Sequence, residues 1–203
     1  ALPILKQGGV VFGAGFDKNW NVCHQYVETA ADLDKLRRSK YVQSNIGKTF
    51  QQAKNFLEQG HAVLFTGTPC QIAGLKNYLD KEYKNLLTAD IICHGVPSPA
   101  VWRKFLKESF SRSTILAVNF RDKSIGWNKF YLSFITNAGY RIHGAAKSWT
   151  DCLLSFPMFA VLTPFVHCNI FLKSFLQELI NRPSCHQCHF KGIKSQADFT
   201  LGD

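Results

Sequence analysis

Residues 61–99 constrain the fold more than any other stretch. They read HAVLFTGTPCQIAGLKNYL, a short charged link, then LLTADIICHGVPSP. An apolar run ends at a Gly-Thr-Pro turn. Thr68 is a natural N-cap, Pro69 suits the first helical position and Gln71 the third, which makes a capping-box signature. Ile72, Leu75 and Leu79 give a helical stripe, and Leu86–Cys93 is a second apolar run. Strand, helix, strand at this length predicts two parallel strands joined by a right-handed crossover. Cys70 then lies just past the first strand and Cys93 ends the second. Both thiols face one crevice at the carboxyl edge, where open α/β sheets bind ligands. Adjacent strands lie about 4.8 Å apart, so one small inorganic site can use both. The first turn of a helix also favours Cys70 as thiolate.

The flanking sequence extends this unit. Ala1–Gln7 reads as helix. Gly8–Phe16 is a Gly-punctuated strand whose glycines mark close approach by a ligand or by packed backbone. Val22–Val27 is its hairpin partner. A short helix is expected from Thr29 or Ala30 to Arg38, then an extended piece over Lys40–Ser44. Ser44 or Asn45 should cap a helix carrying Ile46, Phe50, Ala53 and Leu57, ended by Gly60. Ser98-Pro99 starts another helix with Val101, Phe105 and Phe110 inward. Ile115–Arg121, Lys129–Thr136 and Tyr140–His143 read as an antiparallel meander beside the parallel unit, hence a mixed sheet. The loop Arg121–Trp127 can hold a phosphate or planar ring, or be a solvated turn. Helices are expected around Cys152–Ala160 and Asn169–Ile180. The fold class is therefore α/β, a parallel βαβ core with an antiparallel meander and a C-terminal Cys-rich segment.

At 203 residues, 46% hydrophobic and 19% charged, the chain can bury a real core. We expect one domain over 1–203, a piece of a longer chain. The net charge of +10 is scattered without a basic run. It suits anionic ligands, including phosphorylated cofactors, and we expect no nucleic-acid partner. No stretch reaches the roughly 18 apolar residues of a membrane span. Seven cysteines without a visible secretory signal favour metal or redox chemistry over disulfides, and a cytoplasmic location. Cys23, Cys152 and Cys168 lie in apolar or alternating contexts and read as core thiols.

The tail Arg182-Pro-Ser-Cys-His-Gln-Cys-His-Phe-Lys-Gly192 carries a Cys-x-x-Cys. Two intervening residues let Cys185 and Cys188 chelate one centre. With Cys70 and Cys93 they make four thiols, the number needed by tetrahedral zinc or a 4Fe-4S cluster. His186 and His189 are spare nitrogen donors. Spacing alone leaves zinc and iron–sulfur open, with unrelated core cysteines a third reading.

Several segments recur together in one order. They are Gly-Gly-Val-Val-Phe-Gly-Ala at 8–14, Ser-Lys-Tyr-Val-Gln-Ser at 39–44 and Thr-Gly-Thr-Pro-Cys-Gln-Ile-Ala-Gly-Leu at 66–75. Cys-His-Gly-Val-Pro-Ser-Pro at 93–99, Phe-Arg-Asp-Lys at 120–123 and Arg-Pro-Ser-Cys-His-Gln-Cys at 182–188 follow. Lys-Gly-Ile at 191–193 and Ser-Gln-Ala-Asp-Phe-Thr-Leu-Gly-Asp at 195–203 close the series. Together they resemble the beta subunit family of coenzyme F420 hydrogenases and dehydrogenases, over nearly the whole chain.

The resemblance implies an oxidoreductase module with FAD and a 4Fe-4S cluster, relaying electrons to a flavin-reducible substrate, which in archaeal relatives is coenzyme F420. It implies Cys70, Cys93, Cys185 and Cys188 as cluster ligands. Gly67, Thr68, Lys40, Ser44 and Lys123 become contacts for the flavin and its phosphates. The implied partners are a redox protein or ferredoxin-like segment and a small-molecule substrate. The alternative is a non-catalytic binding or assembly protein with a structural four-cysteine zinc site. The chain departs from the family pattern in lacking the usual N-terminal ferredoxin-like segment, and in carrying Arg38 where relatives commonly have glycine.

Overall fold

A computed structural model describes residues 1–124, 131–144, 170–191 and 194–202. The expected helix over 152–160, Cys152, Cys168 and the Trp127 end of the 121–127 loop lie outside the described residues. The chain divides into two compact units: Ala1–Arg37, Val42–Pro99 and Arg182–Asp203 form the first, Arg38–Tyr41 and Ala100–Asn181 the second.

In the first unit, helix α1 (Leu2–Lys6) leads into the hairpin β1 (Val10–Phe16) and β2 (Val22–Val27). A short 3₁₀ turn over Ala31–Lys35 follows, then α2 (Thr49–Glu58), β3 (Val63–Gly67), α3 (Pro69–Leu79) and β4 (Leu86–Ile91). Strand β3 pairs in parallel with both β1 and β4, as the strand–helix–strand reading requires. A late strand, β8 (Phe199–Leu201), pairs in parallel with β4, giving the sheet order β2-β1-β3-β4-β8. The core lies on both faces. Val10, Phe12, Val63 and Phe65 pack with Ala53 and Leu57 of α2 and Ile72, Leu75 and Leu79 of α3. Val11, Val27 and Leu64 pack with Leu5 of α1 and Leu33 of the 3₁₀ turn. The alternation of β1 and β3 residues between these clusters is the period-2 pattern of a sheet covered on both sides.

Two glycines, Gly9 just before β1 and Gly13 within it, mark close approach by protein. A Cβ on Gly9 would lie 2.5 Å from the Ala62 carbonyl oxygen, and one on Gly13 would lie 2.8 Å from Thr66 Oγ1. Helix α2 begins later than Ser44 or Asn45. Asn45 makes a parallel bridge to Cys23 and its Oδ1 accepts from Gly47 N–H at 3.0 Å, so its turn is complete before the helix starts. Gly60 closes α2 with φ +86°.

The second unit holds α4, which starts at Pro99 and runs to Ser109, and the meander β5 (Ile115–Asp122), β6 (Tyr131–Thr136) and β7 (Gly139–Gly144). It also holds α5 (Ile170–Leu176). The meander forms its own three-stranded sheet, not part of the five-stranded one. The five-stranded sheet is mixed because β2 runs antiparallel to β1. The core here is aromatic. Trp102, fully buried, meets Phe120 at 4.9 Å and Phe171 at 5.1 Å between ring centroids, and Phe110 meets Phe134 at 4.4 Å. Tyr41 belongs to this unit, stacked on Phe175 at 4.9 Å. Arg38 opens the Arg38–Tyr41 excursion with φ +71°, a conformation that suits glycine and costs other residues about 1–2 kcal/mol.

Candidate metal centre

The four cysteines singled out by spacing all fall in the first unit. Cys70 is exposed at the second position of α3. Cys93 lies two residues past β4 and is half-buried. Cys185 sits in the short helix α6 (Pro183–His186), and Cys188 follows it; both are half-buried. The chain entering α6 is fixed by Arg182 N–H donating to the Val96 carbonyl at 3.0 Å, which ties the Cys-x-x-Cys segment to the loop after Cys93. The cysteines sense one another. Burial pushes the Cys93 thiol up, the Gly95 N–H pulls it down, and the negative charges of Cys70, Cys185 and Cys188 each push it up further. Among the described residues, no three Cys, His, Asp or Glu side chains are drawn together at the spacing of a formed metal site. Parallel β3 and β4 end at one sheet edge, which places Cys70 and Cys93 there, and the Arg182–Val96 bond brings the Cys-x-x-Cys segment to the loop after Cys93.

The local fold explains where Cys70 and Cys93 stand. Thr68 and Gln71 form the expected capping box, with Thr68 N–H donating to Gln71 Oε1 at 3.0 Å. Thr68 Oγ1 lies 3.2 Å from Cys70 Sγ. Gln71 Nε2 donates to the Ser44 carbonyl at 3.3 Å. Ser44 in turn meets His24, whose Nδ1 lies 2.5 Å from the serine oxygen. His24 Nε2 is 2.9 Å from the Thr66 carbonyl, which can only accept, so this nitrogen carries the proton and Nδ1 accepts from the Ser44 hydroxyl. Burial holds His24 below its usual pKa, which keeps the ring neutral, and the ring stacks on Phe65 at 5.3 Å. His24, Ser44, Thr66, Gln71, Thr68 and Cys70 thus form one connected chain around the end of β3.

Of the other predicted contacts, Gly67 ends β3, and its open side is filled by Gln71, whose Oε1 lies 3.1 Å from the place of a Cβ. Ser44 is buried and committed to His24. Lys40 and Lys123 belong to the second unit. Burial, with Arg38 beside it, lowers the Lys40 amine from 10.5 to about 8, and Lys40 Nζ donates to the Arg38 carbonyl at 3.0 Å.

Sequence reasoning missed three polar residues here. His24 shares a strand face with Val22 and Tyr26, and no pattern in the sequence marks it out. Asp90, only 1% exposed, interrupts the apolar β4; Ser195 Oγ donates to its Oδ2 at 2.6 Å, and its Oδ1 has no partner among the described residues. Asp198 clamps β8 to β4, its Oδ2 accepting from both Thr88 N–H and Thr88 Oγ1 at 2.7 Å.

Over residues 60–203 the sequence matches the family described as the C-terminal part of the coenzyme F420 hydrogenase/dehydrogenase beta subunit. No curated protein matches it. The structure is similar to a chain of the F420-reducing NiFe hydrogenase complex from Methanosarcina barkeri, solved as a xenon derivative, with TM-score 0.58 and 18% identity. The match covers 98% of this chain and 60% of that one. At that identity the likeness is one of fold, and it agrees with the α/β architecture read from the sequence. Since the matched region takes in most of the chain, this protein belongs to the coenzyme F420 hydrogenase/dehydrogenase beta subunit family.

Proposed function

We propose that this chain is an oxidoreductase module that relays electrons between a 4Fe-4S cluster and FAD. What carries the reading is the placement of Cys70 and Cys93 past the ends of the parallel neighbours β3 and β4, with the Cys-x-x-Cys segment tied to the loop after Cys93, in a family whose name is that of a redox enzyme. The donor set fits the cluster: four thiols and no obligatory nitrogen or carboxylate. A 4Fe-4S cluster passes single electrons, and a flavin converts them to a two-electron step.

The chain's own residues do the rest. Cys70, Cys93, Cys185 and Cys188 bind. Because burial and its neighbours push the Cys93 thiol up, loading the centre releases a proton there. The Gly95 N–H donates to Cys93 sulfur and favours its thiolate. Thr68 orients Cys70, and the buried His24–Ser44 pair holds the Thr66 carbonyl and Gln71 behind it. Within the first unit, Gly67 and Thr68 are the flavin contacts, with Ser44 a support behind them. The acceptor is a flavin-reducible small molecule of the F420 type, and a redox protein is the partner. No helix among the described residues is long and apolar enough to cross a membrane.

The second reading is structural zinc, favoured by His186 and His189, both exposed beside the Cys-x-x-Cys. Anaerobic purification with iron, sulfide, zinc and flavin analysis separates the two. Four irons and four sulfides per chain, lost in Cys93→Ser and Cys185→Ser, are expected. A colourless protein with one zinc per chain overturns the redox reading.

A further inference from the structure

The positive charge is not spread evenly between the two units. Twelve of the 24 Lys and Arg residues, but only four of the 14 Asp and Glu, fall in the second unit. That unit therefore carries most of the net +10 of the chain.

Its described cations include a compact array on α4. Arg103, Lys104 and Lys107 are exposed on the helix, and Arg112 is exposed just after it. Arg103 and Lys107 stand one turn apart, about 6 Å along the axis. The acid on this face is Glu108, paired to Lys104 at 3.9 Å with both side chains largely in solvent, a contact of little weight. The opposite face is locked. Trp102 is fully buried against Phe105, Phe120, Phe134 and Phe171. A basic row on a helix whose other face is wedged into an aromatic core keeps its charges in a fixed pattern. Fixed charge of one sign steers and registers an oppositely charged partner.

We propose that the outward face of α4 docks a small acidic electron-carrier protein. The partner's electron-carrying nature rests on the redox reading above; its acidity rests on the charge array alone. A nucleic acid is the lesser fit. Base stacking needs exposed aromatic rings, and among the described residues of this unit the large apolar side chains exposed are the aliphatic Leu116, Ile135, Ile170, Leu176 and Leu179.

The test uses the full chain, purified anaerobically and shown folded by circular dichroism. Its binding to an acidic two-cluster bacterial ferredoxin is compared with its binding to a single-stranded oligothymidine. One variant carries Arg103→Glu, Lys104→Glu and Lys107→Glu. A control of equal net charge carries Lys6→Glu, Lys18→Glu and Lys48→Glu in the first unit. Should the reversed variant fail to fold, Gln replaces Glu at the three α4 positions. At about 20 mM salt, ferredoxin affinity should fall at least about tenfold in the α4 variant and about twofold or less in the control. The difference should close at about 0.5 M salt, where the Debye length is about 4 Å. No ferredoxin binding at low salt, an equal loss in both variants, or tighter binding of the oligonucleotide through the same residues overturns the proposal. Iron and flavin content, measured separately, reports failure of the redox reading, so the two cannot be confused.

Discussion

Strand β8 is three residues long and all three are exposed, so its own burial cannot hold it to the sheet. The clamp is Asp198. Its Oδ2 accepts two hydrogen bonds from Thr88, and its N–H donates to the Thr88 carbonyl and hydroxyl, both at 3.1 Å. Asp198→Ala removes the two carboxylate bonds and leaves the buried Thr88 N–H and hydroxyl without acceptors. Bonds to a charged group contribute about 1.5–3 kcal/mol each when buried. Asp198 itself is exposed, so solvent screening takes the pair to about 2–3 kcal/mol in total. Amide exchange at Thr88, and at Ile92, which donates to the Leu201 carbonyl at 3.0 Å, should then accelerate about 30- to 150-fold. Asp198→Asn keeps one oxygen able to take both bonds and should change exchange by less than about fivefold. The pH dependence has a definite sign. Burial pushes the Asp198 carboxyl up, but the Thr88 hydroxyl and amide, with Lys76, outweigh it and hold it below 3.8. Its contribution is therefore complete above pH 3.8 and lost as pH falls through the lower folded value. Unchanged exchange at Thr88 in Asp198→Ala, or a loss in Asp198→Asn as large as in Ala, would refute the reasoning.

Two further outcomes follow from the second unit. Trp102→Ala removes the ring on which Phe105, Phe120, Phe134 and Phe171 converge, and should destabilise the unit by about 3–5 kcal/mol in urea denaturation; a loss under about 1 kcal/mol contradicts this packing. Lys40, with its amine lowered to about 8, should be acylated by acetic anhydride with a midpoint near that pH, and a midpoint at 10.5 rules the burial out. Between those values the folded chain has released a proton the unfolded chain keeps, so stability rises with pH across that window.

The first unit is readable because its signals are local. The Thr-Pro-Cys-Gln turn fixes a strand end, a cap and a helix start within four residues, and the crossover rule then places β3 and β4 side by side. The hairpin of β1 and β2 follows from one turn and one alternation. Other features rest on long-range partners that no spacing reveals. Val101 and Phe105 stand out in the pattern of α4 and Trp102 does not, since several phases of this helix look apolar and only Phe120, Phe134 and Phe171 decide among them. The start of α2 is not where its capping residues suggest, because Asn45 takes up a bridge to Cys23, 22 residues earlier, before it can cap. The meander's separation from the main sheet depends on strand edges, which a sequence pattern does not label. Among the candidate site residues, the four cysteines are legible as a count and a spacing. His24 and Asp90 are not, because a single polar residue in a strand carries no period of its own.

Arg38 adopts φ +71°, a backbone state its own side chain disfavours. Within this stretch Lys40 Nζ donates to the Arg38 carbonyl at 3.0 Å. Other contacts that favour the turn are distant in the chain, with Tyr41 against Phe120 at 5.9 Å and against Phe175 at 4.9 Å. Contacts so far apart in sequence cost loop-closure entropy. The final shape of the Arg38–Tyr41 crossing therefore depends on the aromatic core of the second unit being in place.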